Sequence, residues 1–474
     1  MGHGEELKHG RIGVAPGWAA GGRGRSRNRD GAHDDQHRSA AESSHARRQR
    51  LFGARKAAPA EHSRGGGAAP LPTNPHREGG SGTKTAETVI IGAGVMGASV
   101  AYHLAARGCR DILVLERQDR SGLGSTGAAT GGFRTQFGSA VNVRLSLLAR
   151  EKLLRFRDEL GVDPGYRPCG YLFMARTEAE IAPLRRAMAV QRAAGVREVR
   201  EVTADDIRRL TPWVRADDLL GGTFCPLDGF LRPLEILRGY LAAAERLGVR
   251  IEYGTGWVEC VADDRRAGEE RRIMGVRSEE GLVATRSVVN AAGPWAGVLG
   301  AHAAIEIPVR PVRRQTAITR PFSGLSEDIP MTICHWDGVH LRVRDGRVLL
   351  LWPVDVPAED PFDTTFDPRW LRGLLPRVYD RFPLLTDAEI DMENCWAGLY
   401  EMSPDRHALL GPAPGIEGLY LINGSSGHGV MHAPALGQLL AEMIVDGRAH
   451  SLDVNALRPS RFVEGKPNPE DAVL

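Results

Sequence analysis

Residues 87–116 read ETVIIGAGVMGASVAYHLAARGCRDILVLE, and this stretch decides the fold. Val89-Ile90-Ile91 is too short for a helix and meets glycine at once, which predicts a buried parallel strand. Gly92, Gly94 and Gly97 follow with the spacing G-x-G-x-x-G. Val95, Ala98, Tyr102 and Ala105 then recur at three- and four-residue steps, a helical pattern that stops at Gly108. A second apolar run, Ile112 to Leu115, ends on Glu116.

Each part has a physical task. Gly92 turns the chain sharply out of the strand, Gly94 lets backbone approach a pyrophosphate, and Gly97 lets helix and strand pack closely. The first helical turn, with Val95 and Met96, offers unpaired N–H groups and a positive dipole end to phosphate. Glu116 lies where a carboxylate accepts from ribose hydroxyls, with Arg117 beside it. An acid there favours an unphosphorylated ribose, so FAD or NAD rather than NADP. The motif alone does not choose between the two.

The chain has 474 residues, 42% apolar and 25% charged, which is ordinary for a globular protein of two or three domains. Its net charge of +2 hides an asymmetry. Residues 1–84 hold fifteen Lys/Arg against eight Asp/Glu, whereas the remainder holds forty-six against fifty-one. The body is slightly acidic and gives no reason to expect nucleic acid as a partner. Six scattered cysteines without a C-x-x-C pair argue against a zinc site or disulfide framework, and point to a reducing, cytoplasmic setting. The uncharged stretches 287–305 and 419–440 are broken by Gly, Pro, Asn and His and predict no membrane span. Residues 1–84 hold few large apolar residues and are expected to be a disordered tail, more readily an extension from an upstream start than a basic binding arm.

After Glu116 comes a second Gly/Ser/Thr-rich stretch, RQDRSGLGSTGAATGGFRTQFGSA. A bound FAD needs such a path, because the chain must follow the pyrophosphate toward the flavin. Ser125 and Thr126 are expected to donate to phosphate, Gly131 and Gly132 to let backbone near the flavin, and Arg134 is the cation at the path's end. Helices are expected over 141–160, with Leu145, Leu148, Leu153 and Leu154 on one face, across the charged stretch 178–215, and over 233–247. Strands are expected at 170–174 and 249–253, with a hairpin over 256–277. SVVNAAGPWAG, from Ser287, returns a buried strand toward Ala292 and Gly293. Residues 305–400 alternate short apolar runs with turns, an antiparallel pattern. LYLINGSSGHGVMHAPALGQLLAEMIVDG gives strand, Gly-rich turn and helix, a helix start aimed at a ring that gains negative charge.

Taken together, VIIGAGVMGASVAYHLA with Glu116, SVVNAAGPWAG, and LYEMSPD … NGSSGHGVMHAPALG resemble the FAD-dependent amine oxidoreductases related to D-amino-acid oxidase. Within that family the chain looks most like the sarcosine oxidases, including the β-subunit type, with glycine oxidase nearby. The resemblance covers most of 86–464. It implies an α/β fold: a Rossmann-like, glutathione-reductase-type FAD domain interleaved with an α+β antiparallel-sheet substrate domain. The FAD domain would take 85–160, 226–300 and 402–464, the substrate domain 161–225 and 301–401, with a tail at 465–474. The implied chemistry is hydride transfer from a Cα–N or N-methyl carbon to the flavin, yielding an imine that water hydrolyses. Val258 would pair its backbone with adenine, and Gly427, His428, Gly429, Val430 and Met431 would meet the flavin's pyrimidine edge. Arg134 would bind the substrate carboxylate, Tyr400 and Trp396 would wall its cavity, and His428 would polarise the flavin.

The chain also departs from the family. Gly398 stands where monomeric members attach flavin through cysteine, and Gly127-Ala128 stand where the dehydrogenases use histidine, so the FAD is expected to be noncovalent. Met431 replaces a lysine that pairs with the carboxylate. The expected partners are a small amino acid or amine, with oxygen or a protein or quinone carrier as electron acceptor, and a homo- or hetero-oligomer is open. Two other readings remain. One is a hydroxy-acid or glycerol-phosphate dehydrogenase of the same fold, for which Arg313-Arg314 would be the phosphate cluster. The other is an FAD-containing subunit or assembly factor that acts through a protein partner.

Overall fold

The structure, a computed structural model, describes residues 84–263 and 270–469. The expected tail 1–84 therefore lies outside the described residues except for Lys84, which opens a short strand Lys84–Thr85.

The strand before the glycine turn, Thr88–Ile91, is wholly buried at the middle of a six-stranded sheet. It pairs in parallel with Ile112–Glu116 on one side and Ser287–Asn290 on the other. Arg250–Tyr253 and Leu419–Asn423 extend the parallel sheet outward, and Leu409–Pro412 closes it as an antiparallel edge. The strands are apolar on both faces because both are covered. Ile90, Val114, Val289 and Ile422 pack on a helix layer formed by Val95–Ala106, Ala140–Leu160, Pro233–Arg246 and Gly429–Asp446. Val89, Ile91, Leu113, Leu115 and Val288 face the other way, toward a small sheet built on Glu259–Ala262, Arg271–Ser278 and Gly281–Ala284. The first and last helices meet closely. Ser99 Oγ donates to the Ala433 carbonyl at 2.8 Å, and a Cβ at Gly437 would stand 2.1 Å from Ser99 Oγ.

A second sheet has eight strands in the order Trp396–Met402, Arg310–Ile318, Arg347–Leu351, His340–Arg344, Met331–Cys334, Tyr171–Ala175, Gly221–Cys225 and Arg200–Thr203. It is antiparallel except where Met331–Cys334 runs alongside Tyr171–Ala175. One face is closed by an apolar cluster that includes Trp370, Leu374 and Val378, from the Pro368–Arg381 stretch. The other face looks toward the ends of the parallel strands.

Several sequence readings need correction. The stretch 178–215 is not helical throughout: Glu178–Ala193 and Ala204–Leu210 are helices, but Arg200–Thr203 between them is an edge strand. Its short alternation was masked by a capping box, in which Thr203 Oγ accepts from Asp206 N at 3.1 Å. Leu154 does not share the buried face of its helix and is 56% exposed, one step round from Leu153. The expected tail 465–474 is anchored where it is described: Asn468 donates from backbone and side chain to the Asp405 carboxylate, at 2.9 and 3.0 Å. All six cysteines are free, and among the described residues no group of His, Cys, Asp and Glu could hold a metal ion. No described helix is long and apolar enough to cross a membrane.

Candidate active site

A cavity of about 600 Å³ runs from the glycine turn across the parallel strand ends to the face of the antiparallel sheet. Every residue expected at cofactor or substrate lines it, except Gly97 and Trp396. Gly97 lies beneath the turn, where a Cβ would stand 1.9 Å from the Gly92 carbonyl oxygen. Gly92 itself has φ +106°, and a Cβ there would meet the Ala291 carbonyl at 2.6 Å. Gly94 differs, because its Cβ position has only Thr126 Oγ1 near it, at 3.5 Å, which leaves room for a phosphate.

The polar groups round this turn brace one another. Glu116 accepts from Ala93 N at 2.9 Å and from Gln118 N at 3.0 Å. Thr126 Oγ1 accepts from Val95 N at 3.1 Å and keeps its own hydrogen to give. Ser125 must be corrected as a phosphate donor through its side chain: its hydroxyl donates to the Leu399 carbonyl at 2.7 Å, tying this loop to the antiparallel sheet. Arg117 is sandwiched between Trp295 and Trp257, its Cζ 3.8 and 5.0 Å from the ring centroids. Trp295 in turn stacks on Phe362 at 5.4 Å. Val258, Ala292 and Gly293 also line the cavity.

At the other end Arg134 is buried, with 5% of its surface exposed. Its Nη2 lies 3.1 Å from His428 Nε2, its Nη1 donates to the Gln136 carbonyl, and its Cζ sits 4.3 Å above the Phe137 ring. Arginine can only donate, so His428 Nε2 accepts and that imidazole carries its proton on Nδ1. The backbone behind Arg134 is clamped by Asp228, which accepts from Thr135 N at 2.6 Å, Thr135 Oγ1 at 2.7 Å and Gln136 Nε2 at 3.0 Å. Burial pushes the Asp228 carboxyl up to about 6, against those hydrogen bonds and the Arg134 charge. Gly131 and Gly132 are closed in by protein rather than left open. A Cβ at 132 would stand 2.0 Å from Tyr171 Oη, and one at 131 would stand 2.3 Å from the Leu231 carbonyl.

The antiparallel sheet supplies the floor through a single row of register partners. Thr316, Leu351, His340, Ile333 and Phe173 stand side by side on consecutive strands. Paired residues share a face, so the row presents one surface to the cavity. His340 donates from Nδ1 to the Gly338 carbonyl at 2.7 Å, and burial, aided by the Arg134 charge, lowers its pKa to about 4. The imidazole is thus neutral with Nε2 as an acceptor. Tyr400 lines the cavity and leaves 37% of its surface open; Gly427, φ +92°, lacks the Cβ that would stand 2.4 Å from that ring.

Trp396 is not a cavity wall. Its indole N–H donates to the Ala128 carbonyl at 2.9 Å, which turns the ring toward Arg344. Arg313 and Arg314 do not form a cluster either, because consecutive residues of a strand point to opposite faces. Arg314 lines the cavity and pairs with Asp355, whereas Arg313 is buried on the far face against Asp363 and the Val356, Pro357 and Thr365 carbonyls. Sequence reading missed His340, Tyr171, Asp228, Glu401, Trp257 and Trp295. The strand alternation in HLRVR was visible, but no feature of the sequence tells which face of a strand meets a cavity.

Residues 87–443 match the family model described as FAD dependent oxidoreductase, DAO. The chain belongs to this family. It is 27% identical over 428 residues to FAD-dependent oxidoreductase domain-containing protein 1 of Bos taurus, covering 82% of this chain and 87% of that protein. It is 28% identical over 398 residues to the mitochondrial sarcosine dehydrogenase of Homo sapiens, covering 79% of this chain but 42% of that longer protein. Among solved structures it is similar to L-proline dehydrogenase from P. horikoshii, with a TM-score of 0.73 at 27% identity over 81% of this chain and all of the other. The α/β fold, the FAD cofactor and the oxidoreductase class expected from the sequence are those of the family. Family members act on amino-acid or amine substrates. The cavity fits FAD: an open Gly94 at a helix start, an acid at the end of the second strand, and a second helix start at Gly429.

Proposed function

We propose that this DAO-family enzyme oxidises a small amine that carries a carboxylate, of the secondary or N-methyl kind represented by sarcosine and proline. Bound FAD supplies the two-electron acceptor for a hydride from the carbon next to nitrogen, and the resulting imine is hydrolysed by water. Gly92, Gly94, Val95, Met96 and Gly97 would hold its pyrophosphate, Glu116, Arg117 and Val258 its adenosine, and the loop 125–132 with Ala292, Gly293 and 427–431 the remainder. The FAD-binding parts would be 85–160, 226–300 and 402–464, and the substrate-binding parts 161–225 and 301–401.

The observation that carries the reading is the buried Arg134 guanidinium, held on His428 and backed by the Asp228 clamp at the end of an otherwise largely apolar floor. A fixed guanidinium grips a carboxylate through parallel hydrogen bonds and so sets where the neighbouring carbon lies. His340, whose Nε2 is an acceptor, is suited to hold an amine N–H rather than to add positive charge, while the one acceptor nitrogen of His428 is taken by Arg134. Tyr400 would close the cavity beside them. The glycerol-phosphate alternative loses its support because Arg313 faces away.

The test is an anaerobic titration of the purified yellow protein with sarcosine, proline, glycine, dimethylglycine, D-amino acids and glycerol 3-phosphate. Bleaching of the flavin band by one of the secondary or N-methyl amines is the expected result. Bleaching by glycerol 3-phosphate alone, or by none of the panel, would overturn the reading.

A further inference from the structure

Glu401 is the one acid on the strand Trp396–Met402, next to Tyr400. It lines the cavity yet is only 9% exposed. Its Oε1 accepts from Ser425 N at 3.2 Å, while its Oε2 is buried with no hydrogen-bond partner. A buried polar atom left unpaired is costly, so its retention calls for a partner the protein itself does not provide.

The surroundings say where that partner lies. Cβ positions at Gly293 and Gly429 would each stand 3.9 Å from a Glu401 carboxyl oxygen, Gly293 facing Oε2 and Gly429 facing Oε1. Gly429 also faces Met96 Cε at 3.4 Å, in the first turn of the helix that follows the glycine turn. The carboxyl therefore sits where three backbone features meet: the helix start fit for pyrophosphate, the Ala292–Gly293 turn, and the helix start fit for the flavin ring. Two of the three are glycines, which leave the acid uncovered from those sides.

We propose that Glu401 is a ligand of FAD, exchanging a hydrogen bond through Oε2 with a hydroxyl of the ribityl chain. Of the cofactor's parts, the pyrophosphate would repel an acid and the flavin's pyrimidine edge is met by the N–H groups at Gly427–Met431, so the polyol between them is the part an acid can hold. Glu116 is the corresponding acid for the adenosine ribose at the cavity's other end. The inference rests on FAD as cofactor and not on the identity of the amine, so a failed amine titration leaves it standing.

The experiment measures FAD release from the diluted holoprotein as recovery of flavin fluorescence, together with the visible spectrum of each variant. Glu401→Leu, which keeps the volume and removes both oxygens, is expected to release FAD at least tenfold faster with its flavin absorption maxima unmoved. Glu401→Gln, which keeps a donor and an acceptor, is expected to stay within about threefold of the parent. Release from Glu401→Leu at the parent rate would overturn the proposal. A shifted flavin spectrum in Glu401→Gln would also overturn it, because the acid would then touch the ring. Should the leucine variant not fold, Glu401→Ala replaces it with the same expected outcome.

Discussion

Replacing Arg134 by Gln tests whether the guanidinium binds the substrate's acid group. The side chain is buried and held from two sides, so a carboxylate bound there is taken out of water. Breaking a buried charge pair by removing one partner costs about 3–5 kcal/mol. At about 1.36 kcal/mol per tenfold, kcat/KM should fall by roughly 10² to 10⁴. The number alone does not separate binding from collapse of the pocket, since the variant also loses the contact to His428. Deleting the carboxylate from the substrate separates them. Stopped-flow flavin reduction would compare proline with pyrrolidine and sarcosine with dimethylamine, each in parent and variant. The parent should favour the acid of each pair by the same 10² to 10⁴, and the Gln variant should show no preference beyond a fewfold. Equal losses on both members of a pair would refute the reasoning, because Arg134 would then support the pocket without touching the carboxylate.

Acid precipitation should release all the flavin into the supernatant, since Gly398, Gly127 and Ala128 offer no nucleophile to attach it; colour kept in the pellet would contradict this. The rate of flavin reduction should rise with pH through the bound amine's pKa, because His340 and His432, lowered by burial to about 4 and about 3, stay neutral over pH 6–10; a flat profile would refute it. Gly132→Ala should destabilise by about 1–3 kcal/mol in thermal melts, since its Cβ falls on Tyr171 Oη, and adding Tyr171→Phe should recover most of the loss; additive effects of the two changes would sink the explanation. Glu401→Gln should stabilise the cofactor-free protein at pH 8. Burial raises this carboxyl from 4.5 to about 7, so the fold prefers it protonated, and stability present below pH 4.5 is lost as pH rises through 7. That shift corresponds to roughly 3 kcal/mol, and the gap between the two proteins should close toward pH 4.5 in melts run across this range.

The cofactor half of the fold was legible because its logic is local. Strand, turn, helix and second strand follow one another over thirty residues, and each glycine answers a contact made within or next to that unit. The substrate half was legible only as a class. Its strands announce themselves by alternation, but their order, with Met331–Cys334 beside Tyr171–Ala175 and Arg310–Ile318 beside Trp396–Met402, is set by pairings between distant segments. Hence Arg134, the cation at the end of the Gly/Ser/Thr-rich path, could be singled out, whereas His340 could not: it reaches the cavity through its register with Leu351 and Ile333. Trp396 failed for the same reason. Sequence put it four residues from Tyr400 on one strand face, and a single hydrogen bond to the Ala128 carbonyl decided its direction.

The charges round Arg134 have one consequence for selectivity. Three histidines lie in its field or against it, and none can add to its charge. His428 must accept from it, and His340 and His432 are driven toward the neutral form by burial and by the guanidinium itself. The Asp228 carboxyl behind it is engaged by Thr135 and Gln136 rather than by the cavity. Beside Arg134 the cavity therefore presents the neutral His340, with its Nε2 acceptor, rather than a second cationic imidazole. An amine without an acid would bring a second positive charge toward Arg134 and carry nothing of its own to offset it. An amino acid would bring its own counter-charge to the guanidinium, and once that charge is matched, the neutral His340 would favour the N–H of an unprotonated amine over further cationic groups. On the proposed function, selection for the acid and for the neutral amine would follow from the same buried guanidinium.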